Sequence, residues 1–311
     1  MAVKGRVLVP WIQVRDAVAD LDLGVELFTG EAPGPADLDD VVFFTVPYDQ
    51  PFSTEPLTRM PGVRVIQALT AGYDHLLPLR PDGAALCNAR GLHDASTAEH
   101  ALALILAAQR ELPRWTHAQD RRQWEHTHTR SLADSRVLIV GYGSIGAALA
   151  TRLRACEADA IGVARRPRPD EGVHGAAELD ALLPSAGIVV LVTPLTPETA
   201  GLMNARRLAL LPDGALVVNV GRGPVLDSSA MLAEASAGRL RAALDVTDPE
   251  PLPPDHALWT CPNVIITPHV AGGAAAFYPR AARFVADQIR RFAAGEPLMN
   301  VVAGAASPPG P

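Results

Sequence analysis

Short apolar runs alternate with polar, helix-compatible stretches along almost the whole chain. In the first third the runs are Arg6–Pro10, Val25–Phe28, Val41–Phe44, Val63–Ala68 and Ala84–Asn88. They are rich in branched and aromatic side chains without strict alternation, the mark of strands buried on both faces. This predicts an α/β domain with a mostly parallel sheet. The stretch HDASTAEHALALILAAQREL follows. Ser96, with Glu99 three residues on, reads as a capping box, so a long helix is expected from near Thr97 as a connector to a second domain.

There the pattern resumes with Val137–Val140, Ala160–Ala164, Ile188–Val192, Ala215–Val220, Ala242–Val246 and Val264–Thr267. Helices fit between, such as Ala147–Ala155 and Asp227–Ala237, the latter closed by Gly238. This predicts a doubly wound sheet. Beyond His269 one more long helix is expected through AARFVADQIRRFAAG. The tail AGAASPPGP is expected to be disordered. No internal repeat appears beyond the βα alternation.

The length of 311 residues favours two domains over one. A net charge of −7 argues against nucleic acid as the main partner. Cys87, Cys156 and Cys261 are scattered without a CxxC pair, so neither a disulfide framework nor a metal site is expected. A reducing compartment suits such a chain. The N-terminal apolar run is too short for a signal peptide. Ala101–Ala108, the most apolar helix candidate, is far too short to span a bilayer and reads as a buried core helix. A soluble, cytoplasmic protein with no membrane partner is expected.

The candidate chemistry lies at strand ends. GYGSIG, Gly141 to Gly146, follows one predicted strand and opens a helix. This is the setting a dinucleotide fingerprint requires. Gly141 permits the tight turn, Gly143 lets the backbone approach a pyrophosphate, and Gly146 lets helix and strand pack closely. N–H groups at the helix start would face the phosphates. A bare turn without a ligand is the alternative. An acidic residue is usual about 20 residues after the glycine turn, where it holds a ribose hydroxyl. Here Ala164 stands there, followed by Arg165 and Arg166, which suit a 2′-phosphate. A solvated basic turn is the alternative to that reading. Further along, Arg222 sits between two glycines, Asp248 and Glu250 follow another strand, and His269 follows the next. Each alone would read as structural. Together, an arginine, a carboxylate and a histidine at the strand carboxyl ends of one sheet are what hydride transfer to a 2-keto acid needs.

The segments STAEHALALILA, VGYGSIG, TPLTPETAGLMN, NVGRGPVLD, AALDVTDPEPLP and TPHVAGG occur in that order. With them the chain resembles the D-isomer-specific 2-hydroxyacid dehydrogenase family over nearly its full length. The resemblance implies a Rossmann-type dinucleotide-binding domain over residues 96–279. It implies a flavodoxin-like substrate domain from residues 1–95 and 280–311, to which the last helix returns. It assigns catalysis to Arg222, Glu250 and His269. It assigns the cofactor to Gly141, Gly143, Ser144, Ile145, Gly146, Arg165, Arg166, Thr193, Val220, Gly221, Arg222, Asp245, His269 and Gly272. The early segment LTAGYDHL resembles the family's substrate-carboxylate loop, with the backbone N–H groups of Ala71 and Gly72 joining Arg222 and His269 on the substrate. The arginine pair resembles the NADP(H)-preferring glyoxylate and hydroxypyruvate reductases, with NAD(H) as the other possible cofactor. A homodimer acting on a small 2-keto or 2-hydroxy acid is implied. Other readings are a member acting on formate or phosphite, one taking a bulkier keto acid, and a nucleotide-sensing binding protein of the same fold.

Overall fold

The apolar runs become the strands of two separate sheets in the computed structural model, which describes residues 5–30, 37–48, 57 and 59–304. In chain order the strands are β1 Arg6–Val9, β2 Gly24–Leu27, β3 Val41–Thr45, β4 Val65–Gln67, β5 Ala85–Cys87, β6 Arg136–Val140 and β7 Asp159–Ala164. There follow β8 Val173–Gly175, β9 Ile188–Leu191, β10 Leu216–Asn219, β11 Arg241–Leu244, β12 Val264–Ile266 and β13 Val301–Ala303. Among the helices are α1 Ile12–Ala17, α2 Asp94–Gln109, α3 Leu112–Asp120 and α4 Ser144–Ala155. Later come α5 Leu179–Leu182, α6 Ala205–Leu208, α7 Ser228–Ser236 and α8 Phe277–Ala294.

The chain divides into two compact units, Met1–His93 with Ala275–Pro311, and Asp94–Ala274. The first holds a sheet of order β13-β5-β4-β3-β1-β2, parallel except where β13 pairs antiparallel with β5. The second holds a wholly parallel sheet, β12-β11-β10-β9-β6-β7-β8. This is the two-sheet α/β architecture expected from the chain. No helix among the described residues is long and apolar enough to cross a membrane.

Burial on both faces explains the unbroken apolar runs. Val137 and Ile139 enter one core while Leu138 and Val140 enter the core on the other face of the same sheet. Val7 and Val9 are divided from Leu8 in the same way in the first unit. A parallel sheet covered by helices on both sides demands such strands.

Three expectations change. The connector helix begins at Asp94, so Ser96 lies within its first turn rather than ahead of it. Asp94 is favoured there by the helix dipole, and it accepts a hydrogen bond from Ser144 Oγ at 3.0 Å. That helix also stops at Gln109, where Glu111 turns left-handed at φ 51° and Pro113 starts α3. The tail is not wholly irregular. Ala303 closes β13, while residues 305–311 lie outside the described residues. Strands β8 and β13 escaped the pattern because both are edge strands outside the long apolar runs, and β8 is Val-His-Gly.

Candidate active site

Every strand of the second sheet runs the same way, so all its carboxyl ends share one edge. The order reverses between β6 and β9. A crevice at that reversal is where open α/β sheets take their ligands. Gly141 follows β6 with φ +107°. A Cβ on it would stand 2.6 Å from the Val192 carbonyl carbon and 2.7 Å from Thr193 N. The turn therefore lies directly against the end of β9. A Cβ on Gly146 would lie 2.7 Å from Gly141 O, so the start of α4 is pressed onto the turn. Gly143 differs, because a Cβ there would meet nothing within 4 Å. It faces open space at the N-cap of α4, ahead of the N–H groups of Ser144, Ile145 and Gly146. Thr193 Oγ1 is buried beside this turn with no hydrogen-bond partner among the described residues. An orphan hydroxyl, an open glycine and a helix N-terminus fit a dinucleotide.

Arg165 and Arg166 follow β7 and are exposed. Glu198 lies close enough to Arg165 to feel its charge. Its carboxyl is held below the usual carboxylate range by hydrogen bonds from Thr196 and its own backbone, with Arg165 adding to the effect. Arg168, which the sequence reading left out, folds back to donate to Tyr142 O at 2.8 Å and lies over the Tyr142 ring. It braces the glycine turn.

The loop after β10 is held at close quarters. A Cβ on Gly221 would meet Thr193 O at 2.8 Å, and one on Gly223 would meet Thr247 O at 1.8 Å. The glycines flanking Arg222 are thus required by the neighbouring strand ends. Asn219, fully buried, accepts from Gly221 N–H at 3.1 Å and donates to Arg222 O at 3.0 Å. Val220 is buried, whereas Arg222 is half-buried.

His269 pairs with Glu250 through Nδ1 and Oε1 at 2.6 Å. A carboxylate only accepts, so Nδ1 carries the hydrogen and Nε2 is the nitrogen left to act. His269 sits at φ 53°, in the left-handed region. A non-glycine residue stays there only when its surroundings hold it, commonly at functional sites. Here Asp245 holds it. This carboxylate is 1% exposed and accepts from Thr267 Oγ1 at 2.6 Å, Val270 N–H at 3.0 Å and Ala271 N–H at 2.9 Å. The His269 N–H donates to Asp245 O at 2.8 Å. His100 Nε2 lies 3.3 Å from the same carboxylate and 3.0 Å from Thr267 Oγ1. Asp245 was expected on the cofactor, but the contacts of its side chain are with the loop on either side of His269. Gly272 lies in the same loop, between β12 and α8.

The sequence reading missed Asn219, His100 and Arg168. Asn219 had a signal, since among the strands of the second sheet it is the one polar residue at a strand's carboxyl end. The other two had none, because their partners are remote in sequence. Ala71 and Gly72 belong to the other unit, in the loop after β4.

A glycine turn at the reversal of a parallel sheet, with an arginine and a histidine–glutamate pair along the same edge, defines a nicotinamide-dependent dehydrogenase. Residues 102–271 match the model of the D-isomer specific 2-hydroxyacid dehydrogenase NAD-binding domain. A D-isomer specific 2-hydroxyacid dehydrogenase from Xanthobacter autotrophicus, solved with NADPH, is 34% identical, with a TM-score of 0.82 over 96% of this chain and 98% of that one. An NADPH-dependent glyoxylate/hydroxypyruvate reductase from Sinorhizobium meliloti, solved with NADP and sulfate, is 30% identical, with a TM-score of 0.82 over 97% and 98%. D-3-phosphoglycerate dehydrogenase of Mycobacterium bovis is 34% identical over 80% of this chain, which spans only 48% of that protein. The chain belongs to the D-isomer specific 2-hydroxyacid dehydrogenase family and is an NAD(P)-dependent enzyme of that class.

Proposed function

We propose that the protein reduces a small 2-keto acid of the glyoxylate or hydroxypyruvate type to the D-2-hydroxy acid, with NADPH preferred over NADH. The observation that carries the reaction is the 2.6 Å His269–Glu250 pair on the strand edge that also bears Arg222 and the glycine turn. When bound, the reduced nicotinamide supplies the hydride. Arg222 holds the substrate carboxylate and polarises the carbonyl as charge grows on its oxygen. His269 Nε2 delivers a proton to that oxygen as general acid. Glu250 keeps the ring in the required tautomer and orientation. The N–H groups of Ala71 and Gly72 are assigned to the substrate carboxylate, and a homodimer completes the proposal.

The cofactor preference rests on Ala164, Arg165 and Arg166. Ala164 stands where a carboxylate that would repel a 2′-phosphate is usual, and two exposed guanidinium groups follow it. Charge-assisted hydrogen bonds are worth about 1.5–3 kcal/mol, so kcat/KM should favour NADPH by roughly ten- to a hundredfold. One assay tests both parts: oxidation of NADPH and of NADH against a panel of 2-keto acids. Arg165→Ala with Arg166→Ala should lose mainly the NADPH activity. Equal or better turnover with NADH rejects the preference. Strong turnover of phenylpyruvate alone shows a larger pocket than a small acid needs.

A further inference from the structure

We propose that Asn88 and His93 are positioning residues that aim the backbone N–H groups of the Thr70–Tyr73 loop at an anionic group of the substrate. The inference rests on the functional reading above and extends it to side chains that touch no substrate.

Four successive carbonyls of this loop are taken up by the protein. Leu69 O lies 2.7 Å from His93 Nε2, and Thr70 O accepts from Ala89 N–H at 2.9 Å. Ala71 O accepts from Asn88 Nδ2 at 2.7 Å, and Gly72 O accepts from Thr70 Oγ1 at 2.5 Å. Within one trans peptide the C=O and N–H point in opposite directions. Turning these carbonyls inward therefore turns the N–H groups of Thr70, Ala71, Gly72 and Tyr73 the other way. None of those four N–H groups donates to another group among the described residues. A run of successive backbone N–H groups without internal partners is a donor set for an anion.

The two side chains are themselves fixed. Asn88 is 7% exposed and directly follows β5. Its Oδ1 accepts from Arg90 N–H at 3.3 Å, which leaves Nδ2 for Ala71. Its own N–H donates to Asn300 O at 3.1 Å. His93 is buried, with its ring stacked on Phe277 of α8 at 5.1 Å and 17°. The stem of the loop is pinned too, since buried Gln67 donates to Ala68 O at 2.8 Å and accepts from Gln288 at 2.7 Å. Neither Asn88 nor His93 lies among the residues assigned to catalysis or to the cofactor. Their effect runs through the direction of two peptide planes.

The test compares Asn88→Ala, Asn88→Asp, His93→Phe and His93→Gln. Asn88→Asp keeps the size and the acceptor for Arg90 but turns the donor to Ala71 into an acceptor. His93→Phe keeps the stacking on Phe277 and loses the contact to Leu69, whereas His93→Gln retains a donor. Binding of oxamate, an unreactive keto-acid analogue, to the NADPH-loaded protein is measured by calorimetry beside steady-state kinetics and NADPH affinity. The first three variants should raise the oxamate Kd and the keto-acid KM by about tenfold, the loss of one well-placed hydrogen bond. Their kcat should change by less than about threefold, and NADPH affinity should stay that of the parent. His93→Gln should regain most of the lost affinity. Unchanged oxamate affinity in Asn88→Asp and His93→Phe overturns the proposal. So does a joint loss of kcat, NADPH affinity and thermal stability, which marks a merely structural role. If the parent protein turns over no 2-keto acid, the functional reading fails on its own. The oxamate comparison then still decides the role of these two residues.

Discussion

His269→Ala should lower kcat/KM for keto-acid reduction by about three orders of magnitude, with NADPH still bound at close to parental affinity. A positioned general acid contributes roughly 10²–10⁴-fold, and no other histidine contacts Glu250 among the described residues. Glu250→Gln should cost less, about ten- to a hundredfold, because the amide keeps an acceptor for Nδ1 and removes only the charge. A second variant separates shape from charge. Glu250→Ala, which leaves Nδ1 without its acceptor, should lose more activity than Glu250→Gln. A Glu250→Ala protein as active as the parent would show that Glu250 does not act through His269.

Gly141→Ala and Gly143→Ala should both abolish tight NADPH binding, but for different reasons that a melting curve can separate. Alanine at Gly141 must adopt φ near +107° and place its Cβ 2.6–2.7 Å from the backbone of Val192 and Thr193. Strain of that kind costs about 3 kcal/mol or more, since neither strand end can retreat from a packed parallel sheet. The Tm should fall by on the order of 10 °C. Alanine at Gly143 meets nothing within 4 Å and needs no left-handed backbone. Its Tm should stay within about 1 °C of the parent, as for a surface substitution with no strain. Its methyl group projects into the space proposed for the pyrophosphate, so NADPH affinity should drop by about a hundredfold or more. A Gly143→Ala protein that binds NADPH as the parent does would place the phosphates elsewhere.

These contrasts show which parts of the site were legible along the chain. Gly141, Gly143 and Gly146 stand within six residues, and their setting is local: strand, turn, helix. Arg222, Glu250 and His269 could be read because each lies in the loop that follows an apolar run, and a parallel sheet brings such loops to one edge. The strands were legible for the same reason. Burial on both faces leaves an unbroken apolar run, which needs no knowledge of its neighbours.

The start of α2 was misread because the capping pattern at Ser96 is local, while the bond from Ser144 to Asp94 crosses 50 residues. Strand β13 was missed because Val301–Ala303 leads into a tail of Gly, Ala, Ser and Pro, and only pairing with β5 makes it a strand. What Asp245 does within the fold was not legible either. A carboxylate at a strand end looks like a ligand group, yet folding buries it under the loop that holds His269 left-handed. Burying that charge is tolerable only because Thr267, Val270 and Ala271 donate to it, with His100 beside it. The chain thus determined which residues line the strand edge, because that depends on local pattern and strand direction. Only the tertiary structure decided which of them hold the others in place, because that depends on hydrogen bonds between segments far apart in sequence.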